Sequence, residues 1–499
     1  MKLRSVLADV PLTGGNVDME MEINSISYDT RTMQPGCLFV ALPGSKTDGH
    51  RYLLQALEQG AAAVLCQVPP NKAGPWLTTP EPRLALAQIS ANWFGHPGRE
   101  LVLIGVTGTN GKTTTTHLIK AMLEGVLHTK VGLIGTNRNM IGALELPAQR
   151  TTPESHELQQ LLRQMADRGC THVVMEVSSH ALAQHRTAGL RFDVGIFTNL
   201  TRDHLDYHGS MEQYRAAKQR LFEQSDRAVI NLDDEAGAYY ARRLTGEVTT
   251  YSECKDHARL TAKNIRLFST YVEFEAVVPG QIARVYLPIP GGFTIYNALA
   301  ALACGLSLGL SLGDCVQPLR CVPGVKGRVE VVHVPTAYTV IIDYAHTPAA
   351  LENILMTARG FTPGRLICLF GCGGDRDRSK RPLMGGVAGE LSDIVVVTSD
   401  NPRSEDPEQI IREILPGLSG CGAQVHVEPD RKQAIWWALD RGRPGDVIVL
   451  AGKGHETYQE IRAQRHHLDE REIVAEYFQR QPAKNAEMST ATVEKLQLI

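Results

Sequence analysis

Residues 101–114 of the chain read LVLIGVTGTNGKTT. The apolar run at the start of this stretch predicts a buried strand, and the apolar spacing after Lys112 predicts a helix over 113–124 that ends at Gly125. A polyphosphate fits a glycine-rich loop between two such elements, because the loop can turn its N–H groups inward while the helix N-terminus adds partial positive charge. Lys112 can then reach the outer phosphates, and the Thr113 hydroxyl can bind Mg2+.

The loop is a variant of the usual phosphate-binding pattern, which would place glycine at position 106, where this chain has Val106. The alternative interpretation is a glycine-rich turn that binds no ligand. We favour ATP binding, because the sequence Gly111-Lys112-Thr113-Thr114 at the start of a helix is seldom incidental.

The length and composition favour a multidomain protein that acts on small molecules. A chain of 499 residues is too long for one hydrophobic core and suggests about three domains of roughly 150 residues each. The hydrophobic share of 43% and the charged share of 21% indicate an ordinary globular protein. The net charge of -3 and the absence of a Lys/Arg block argue against nucleic acid or a lipid surface as the main partner.

The sequence contains no segment that predicts export or membrane insertion. Asp9 and Pro11 interrupt the apolar stretch that a signal peptide would need, and the longest apolar tract, 298–312, is shorter than the roughly 20 residues of a membrane helix. Cys368 and Cys372 are the closest cysteines in sequence, and no second pair completes a zinc site. We therefore expect a cytoplasmic protein with reduced, mostly buried thiols. We also expect a monomer.

Three α/β segments follow one another along the chain. Residues 1–99 contain a βαβ pattern with strand-like runs at 37–42 and 61–65. Residues 100–332 hold the phosphate loop, and residues 333–499 contain four apolar runs separated by helix-length segments. The predicted fold class is therefore α/β, with a small N-terminal α/β domain (1–99), a central P-loop ATPase-type parallel sheet (100–332) and a C-terminal Rossmann-like sheet (333–499).

The central segment predicts an active site where its strands end. Thr151-Thr152-Pro153-Glu154 predicts a helix start, with threonine as the cap and Glu154 in a capping box. The buried runs 172–177 and 194–198 lead into two clusters of polar residues, Ser178-Ser179-His180 and 199–208. An open parallel sheet places its ligands at the carboxyl ends of its strands, so both clusters are expected at the active site.

Several motifs together resemble the Mur ligases of peptidoglycan synthesis over essentially the whole chain. They are Gly108-Thr109-Asn110-Gly111-Lys112-Thr113-Thr114, Met175-Glu176-Val177-Ser178-Ser179-His180, Thr198-Asn199-Leu200, Asp203-His204-Leu205-Asp206-Tyr207-His208-Gly209, Asp343-Tyr344-Ala345-His346-Thr347-Pro348, Gly371-Cys372-Gly373-Gly374-Asp375-Arg376-Asp377 and Asp400-Asn401-Pro402-Arg403. The resemblance implies that ATP phosphorylates the free carboxylate of a D-glutamyl residue and that an amine then attacks the acyl phosphate. The implied partners are ATP, Mg2+, UDP-N-acetylmuramoyl-L-alanyl-D-glutamate and, as the amine, meso-2,6-diaminopimelate.

The resemblance also implies a nucleotide and metal site. The implied ATP contacts are Gly108, Thr109, Asn110, Gly111, Lys112, Thr113, Thr114, Asn297, Arg328 and Asp343, with Asn297 opening a helix. The implied Mg2+ ligands are Thr113, Glu176, His204 and Lys218, of which Lys218 carries a carbamate, since the metal would repel a bare ammonium. Lys112, His204 and Lys218 are the implied catalytic residues. Taken singly, Glu176 and His204 fit solvated side chains equally well, and Lys218 fits a surface lysine.

Two further sets of residues are implied for the substrates. The set for the muramoyl dipeptide is Thr151, Thr152, Ser178, Gln184 and Arg186, with Thr30, Ser45, Lys46 and Thr47 near the uridine. The set for the incoming amino acid is Arg376, Asp400, Asn401, Pro402, Arg403, Gly452 and Glu456. The chain departs from its relatives at Tyr28 and Arg150, where leucine and asparagine are common.

Three alternatives stay open from the sequence. A relative that adds L-lysine would share everything except the arrangement around Arg403. Folylpolyglutamate synthase shares the nucleotide loop but has no N-terminal uridine domain. A P-loop switch protein, from a different class, would bind nucleotide to regulate a partner, and the clusters of metal-type ligands argue against it.

Overall fold

The structure is a computed structural model that describes residues 1–44, 47–71, 74–268 and 270–480. Ser45, Lys46 and the end of the predicted C-terminal domain, 481–499, lie outside the described residues. The chain divides into two compact units, the first made of 1–261 with 297–318 and the second of 262–296 with 319–499. Within the described ranges, no helix is long and apolar enough to cross a membrane.

A five-stranded sheet lies at the start of the first unit. Its elements are α1 (Leu3–Val6), β1 (Gly14–Gly15), β2 (Ser25–Ser27), β3 (Cys37–Val40), α2 (Leu53–Glu58), β4 (Ala63–Cys66), β5 (Trp76–Thr78) and α3 (Pro82–Trp93). The strand order is β1-β5-β4-β3-β2, and all neighbours are parallel except β1 and β5. The predicted βαβ pattern is confirmed, because α2 connects the parallel neighbours β3 and β4.

A larger sheet in the first unit contains the phosphate loop. Its elements are β6 (Val102–Thr107), α4 (Lys112–Leu127), β7 (Lys130–Ile134), β8 (Asn139–Ile141), β9 (Leu144–Leu146), α5 (Ser155–Asp167), β10 (Cys170–Glu176), α6 (Ser179–Ala183), β11 (Phe192–Phe197), α7 (Leu205–His208), α8 (Met211–Glu223), β12 (Ser225–Asn231), α9 (Glu235–Ala241) and β13 (Glu247–Ser252). In the order β13-β12-β11-β6-β10-β7-β8-β9, strand β6 pairs in parallel with both β10 and β11. The carboxyl ends of these three strands therefore meet at one edge of the sheet.

The second unit is built on a six-stranded sheet. The chain passes between units within β14 (Leu260–Leu267) and again within α10 (Gly292–Ser307), with the hairpin β15 (Val272–Val278) and β16 (Gln281–Leu287) between them. The chain passes between units a third time at the end of α11 (Leu312–Leu319), which belongs to the first unit except for its last residue. The remaining elements are β17 (Glu330–Val332), β18 (Thr339–Asp343), α12 (Pro348–Arg359), β19 (Leu366–Phe370), α13 (Lys380–Leu391), β20 (Ile394–Val397), α14 (Pro407–Ile414), β21 (Gln424–Val427), α15 (Arg431–Arg441), β22 (Val447–Ala451), β23 (Tyr458–Ile461), β24 (Gln464–His467) and α16 (Glu470–Arg480). The strand order is β17-β18-β22-β19-β20-β21.

Both faces of the six-stranded sheet are covered, as the continuous apolar runs predict. Along β18, Ile341 packs into one hydrophobic cluster, whereas Val340 and Ile342 pack into another. Strands buried on both faces read as unbroken apolar runs because neither face meets water. The α/β fold class with separate parallel sheets is confirmed, and the ten cysteines are free thiols, most of them buried. The limits of the three predicted domains stay a prediction.

The predicted end of the phosphate-loop helix is wrong. Helix α4 continues through Gly125 to Leu127, and His128 follows it in a left-handed conformation with φ of 50°. Gly125 serves close packing, since a Cβ there would lie 2.6 Å from the ring of Pro318. A glycine that permits close approach has the same sequence signal as one that ends a helix.

Two predicted helix starts are also wrong. Helix α5 begins at Ser155 without a side-chain cap, because Thr152 Oγ1 accepts from the Ser178 N–H instead and donates to the Glu176 carbonyl. Asn297 lies inside α10, which begins five residues earlier at Gly292. In both cases a contact far away in the sequence determines where the polar side chain points.

Candidate active site

The phosphate loop is a tight connection between β6 and α4. Gly108 has a φ of 154° and Gly111 a φ of 83°, values that side chains other than glycine rarely allow. A Cβ at Gly108 would lie 1.8 Å from Thr198 Oγ1, and a Cβ at Gly111 would lie 2.5 Å from Asn297 Oδ1. The loop therefore requires glycine at both positions, for conformation and for space.

Residues after β11 hold this loop in shape. Thr198 Oγ1 donates to the Asn110 carbonyl at 2.6 Å, and the Asn110 N–H donates to Asn199 Oδ1 at 2.9 Å. The Thr109 N–H donates to the Asn199 carbonyl at 2.8 Å. Three successive peptide units of the loop are thus fixed by the residues after β11 before any ligand binds.

The lysine and the threonines of the loop lie at the start of α4. Lys112 Nζ donates to the carbonyls of Gly108 and Thr109, both at 2.8 Å, so its ammonium lies against the loop. Thr113 and Thr114 are buried. Asn297 approaches from α10, where its Oδ1 accepts a hydrogen bond from the hydroxyl of Thr115 at 3.2 Å. The structure thus places Asn297 beside the loop, and its contact with ATP stays a prediction.

Lys218 lies in α8 and is only 1% exposed, which excludes a surface lysine. Its Nζ lies 4.5 Å from the centroid of the Tyr214 ring. Burial, and then the positive charge of Lys112, hold the pKa of the Lys218 ammonium well below its usual range. The side chain therefore carries an amine that gives up its proton easily.

Glu176 and His204 have different surroundings. Glu176 ends β10 and is 1% exposed, so it is not a solvated carboxylate. Its two oxygens accept hydrogen bonds from the N–H and the hydroxyl of Thr136, at 2.8 and 3.0 Å. His204 is half-exposed, with its ring centroid 4.8 Å from that of His180. In the part of the chain that the structure describes, no three His, Cys, Asp or Glu side chains are grouped closely enough to hold a metal ion.

The residues implied for the muramoyl dipeptide form one connected group. Thr152 Oγ1 accepts a hydrogen bond from the Ser178 N–H at 3.0 Å, and Arg186 Nη1 donates to the Thr152 carbonyl at 2.9 Å. Arg186 Nη2 donates to Gln184 Oε1 at 2.7 Å. The hydroxyls of Thr136 and Thr151 lie 3.0 Å apart, which joins this group to Glu176.

The Glu154 carboxylate lies close to three arginine side chains, an arrangement that the sequence did not predict. Its Oε2 lies 3.3 Å from Arg83 Nη1, 3.4 Å from Arg186 Nε and 3.7 Å from Arg150 Nη1. Arg83 also donates to the Pro43 carbonyl at 3.1 Å, in the loop after β3. No sequence signal pairs residues 71 positions apart, so this connection between two predicted substrate loops is visible only in the structure.

The residues implied near the uridine lie in loops of the small sheet. Thr30 and Thr47 follow β2 and β3, which are parallel neighbours, so their loops leave the same edge of the small sheet. Ser45 and Lys46 lie outside the described residues. The nearby Tyr28 hydroxyl donates to Glu157 Oε1 at 2.6 Å, and this bond links the small sheet to α5.

In the second unit, most residues implied for the amino acid meet where β19, β20 and β22 end. Asn401 Nδ2 donates to Glu456 Oε2 at 2.9 Å, and a Cβ at Gly452 would lie 2.8 Å from Asp400 Oδ2. Asp400 Oδ2 is buried and accepts no hydrogen bond from the described residues. A buried carboxylate oxygen without a hydrogen bond destabilises the protein. An ammonium group of a ligand could supply the missing hydrogen bond.

The two arginines of this set flank Gly373. Arg403 Nη1 donates to the Gly374 carbonyl at 2.7 Å, and its Nε lies 3.3 Å from Glu460 Oε2. A Cβ at Gly373 would lie 2.9 Å from Arg403 Nη1 and 3.8 Å from the Arg376 side chain. Arg376 is exposed, whereas Arg403 is held in place, and Pro402 beside it is buried.

A buried ion pair that the sequence analysis missed supports this set. The side chains of Arg431 and Glu470 are fully buried, and Arg431 Nη2 lies 2.8 Å from Glu470 Oε1. Arg431 Nη1 donates to the Ser399 carbonyl at 3.2 Å and Nη2 to the Ala451 carbonyl at 2.8 Å. These carbonyls precede Asp400 and Gly452, so one guanidinium fixes the starts of both loops.

The remaining nucleotide residues, Arg328 and Asp343, also lie in the second unit. Asp343 ends β18, and its carboxylate accepts from the N–H groups of Val329 and Ala345, both at 2.8 Å. Burial raises the pKa of Asp343, and the Arg328 charge opposes that shift. The Arg328 guanidinium lies 4.9 Å from the centroid of the Tyr344 ring, and its buried Nε has no partner among the described residues.

Comparisons with known proteins agree on one family. Residues 22–92 match the description "Mur ligase family, catalytic domain", 106–305 match "Mur ligase middle domain", and 327–454 match "Mur ligase, glutamate ligase domain". A protein of Alkaliphilus metalliredigens, named UDP-N-acetylmuramoyl-L-alanyl-D-glutamate--2,6-diaminopimelate ligase, is 44% identical over 467 residues, 92% of this chain and 94% of that relative.

Two further comparisons carry the same name. A relative from Clostridium botulinum is 45% identical over 462 residues, which cover 91% of this chain and 95% of the relative. A solved structure of a ligase of this name aligns with a TM-score of 0.69 and 32% identity, covering 96% of this chain and 99% of the other.

Proposed function

The chain belongs to the Mur ligase family, and on that premise we propose that it is an ATP-dependent amide ligase. In this proposal it joins meso-2,6-diaminopimelate to the D-glutamyl carboxylate of UDP-N-acetylmuramoyl-L-alanyl-D-glutamate, through an acyl phosphate, and releases ADP and phosphate. The relatives at 44% to 45% identity carry the name of this activity. Because both nucleotide substrates are intracellular metabolites, we propose that the enzyme works in the cytoplasm.

One observation carries the proposal: the predicted phosphate site and the predicted acceptor site lie on neighbouring strands of one sheet. Strand β6 leads into the phosphate loop, and its parallel neighbour β10 ends at Glu176, opposite Val106. The Glu176 carbonyl accepts from the Thr152 hydroxyl at 2.7 Å, and Thr152 belongs to the muramoyl-dipeptide group. A phosphoryl donor and a carboxylate acceptor at these strand ends would be adjacent, as direct transfer requires.

We propose that the phosphate loop binds and orients the ATP phosphates. Thr198 and Asn199 hold the loop in shape, and the first N–H groups of α4, which have no partner within the helix, can bind the phosphates. Lys112 supplies the cation that would leave the loop carbonyls for the transferring phosphoryl group. The proposal keeps Asn297, Arg328 and Asp343 as further nucleotide contacts.

We propose that Mg2+ is held by Thr113, Glu176, His204 and a carbamate on Lys218. Bound there, Mg2+ would neutralise the charge that develops during phosphoryl transfer. The donor set fits only with the carbamate, since an ammonium repels the metal and no cluster of three His, Cys, Asp or Glu side chains occurs among the described residues. The lowered pKa of Lys218 fits this role, because only a neutral amine attacks carbon dioxide.

We further propose that Arg403 selects the amino acid. Meso-diaminopimelate carries a carboxylate at the end where lysine has none, and a planar guanidinium can bind it through two parallel hydrogen bonds. Bonds to Gly374 and Glu460 hold Arg403 in place for this purpose. Lysine addition by the same machinery is the second candidate, and Arg403 is the observation against it.

ADP release is the decisive measurement. We expect release only when the UDP-muramoyl dipeptide and a diamino acid are both present, and a panel of meso-diaminopimelate, L-lysine and L-glutamate identifies the acceptor. Lys112→Ala should reduce the rate about 10²- to 10³-fold, since it removes the cation at the transferring phosphate. Steady nucleotide hydrolysis without the muramoyl dipeptide would instead indicate a switch protein or another ATPase.

A further inference from the structure

Lys453 lies directly after β22, next to Gly452, and is completely buried. Its Nζ donates to Asn401 Oδ1 at 3.0 Å and to Glu456 Oε2 at 2.9 Å. Both acceptors belong to the set implied for the amino acid, although Lys453 does not. A buried ammonium is costly unless it is paired, so its two bonds tie this lysine firmly to Asn401 and Glu456.

These bonds leave Asn401 little capacity to bind a ligand. Its Oδ1 accepts from Lys453 Nζ and from the Glu460 N–H at 2.9 Å, and its Nδ2 donates to Glu456 Oε2 at 2.9 Å. A carbonyl oxygen has two lone pairs, so Oδ1 is saturated. Rotation of the amide would turn its NH2 group toward two other donors. Lys453 therefore fixes the orientation of Asn401, which acts as a connector between loops.

The same bonds orient Glu456. Both hydrogen bonds that its side chain accepts from described residues fall on Oε2, and Oε1 accepts none of them. The carboxylate plane is set by Asn401 and Lys453 together, and its side chain is 13% exposed. Oε1 is the atom that remains for a ligand ammonium.

We propose that Lys453 is a positioning residue that sets the enzyme's affinity for the amino-acid substrate, by holding Glu456 with Oε1 directed at the substrate ammonium. This inference rests on the proposed function. Lys453 does not touch the substrate; it acts through Glu456 and Asn401. Without it, the Asn401 amide can turn and Glu456 can rotate, so the ammonium loses a fixed acceptor while the phosphate loop in the other unit is unchanged.

The test compares Lys453→Met with wild type in the ADP-release assay, varying each substrate in turn. We expect the KM for meso-diaminopimelate to rise about 10- to 100-fold, the range for losing one hydrogen bond to a charged group. The KM values for ATP and the muramoyl dipeptide should stay within about twofold. Lys432→Met is the matched control, because Lys432 pairs with Glu476 on the surface of the same unit and should change none of the three KM values.

A second comparison shows whether Lys453 acts through Glu456. In a Glu456→Gln background, Lys453→Met should raise the KM for meso-diaminopimelate much less than it does in wild type, because coupled residues have non-additive effects. If Lys453→Met does not fold, Lys453→Gln, which keeps one donor without the charge, takes its place. It should raise the same KM selectively.

The outcomes separate this inference from the proposed function. A wild-type enzyme without amino-acid-dependent ADP release would overturn the proposed function. With active wild type, equal rises in all three KM values, a fall in kcat alone, or full additivity with Glu456→Gln would overturn the role of Lys453.

Discussion

Replacing Gly108 by alanine should disable the phosphate loop, and the structure allows the cost to be worked out. The added Cβ would lie 1.8 Å from Thr198 Oγ1, where ordinary contacts begin at 3.4 Å, so the atoms must separate by 3.4 − 1.8 = 1.6 Å. Moving Thr198 breaks its hydrogen bond to the Asn110 carbonyl, worth about 1 kcal/mol. Alanine at a φ of 154° adds strain of about 1 to 3 kcal/mol.

We therefore expect the free energy of unfolding to fall by about 2 to 4 kcal/mol, a large part of the roughly 5 to 15 kcal/mol that stabilises a domain. The KM for ATP should rise, because Thr198 no longer holds the Asn110 carbonyl and the loop loses the shape that we propose binds the phosphates. Thermal unfolding gives the stability, and ADP release gives the KM.

Two variants make this test specific. Gly246→Ala is the matched control, since a Cβ there would meet only the Asp226 carbonyl at an ordinary 3.6 Å. Adding Thr198→Ala to Gly108→Ala removes the clashing oxygen and should recover part of the lost stability, although the bond to Asn110 stays absent. A Gly108→Ala enzyme with wild-type stability and wild-type KM for ATP would refute the reasoning.

Three more predictions concern charge. Lys218→Ala should be nearly inactive and should be partly restored by short-chain carboxylic acids, which can occupy the place of the carbamate. Mass spectrometry under bicarbonate should show the carbamate on wild type. An unmodified wild type together with a fully active variant would contradict this prediction. Arg403→Ala should lose most activity with meso-diaminopimelate, and its preference for that substrate over lysine should shrink. In wild type, bound lysine leaves the Arg403 guanidinium without the substrate carboxylate, which should cost roughly 2 to 5 kcal/mol, or about 30-fold to several thousandfold in kcat/KM. Comparing kcat/KM for both amino acids in wild type and variant decides this. Burial, and then Arg328, lower the pKa of His455 to about 4, so the unfolded chain binds the extra proton first and stability should fall as pH drops from about 6.5 to 4. His455→Asn should flatten that decline in denaturant titrations, and an unchanged slope would show that His455 does not cause it.

The parts of the site that are local in sequence could be predicted from it. The strand, loop and helix around Lys112 follow from apolar spacing and glycines within about 25 residues, and the structure has all three in place. The strands that end at Glu176 and Asp343 are equally predictable, because a strand buried on both faces is a continuous apolar run without alternating polar residues.

The wrong predictions, and the alternatives that the sequence left open, share one physical cause, which is competition from distant partners. Thr152 has the sequence context of a cap, but its oxygen accepts from the N–H of Ser178, 26 residues away, rather than from the helix. Lys218 has the context of a surface helix lysine, and only the packing of α8 buries it. The sequence does not indicate the roles of Arg83 and Arg431, because their hydrogen-bond acceptors belong to separate elements that meet only in the folded chain.

The bonds of Arg431 have a consequence for motion. The Ser399 carbonyl lies two residues beyond the end of β20, and the Ala451 carbonyl ends β22. These strands do not pair with each other, because β19 lies between them. One rigid guanidinium therefore couples two loops that the sheet alone would let open separately. In hydrogen–deuterium exchange, the amides of 400–403 and 452–456 should share a single opening rate, and a ligand that grips either loop should slow exchange in both.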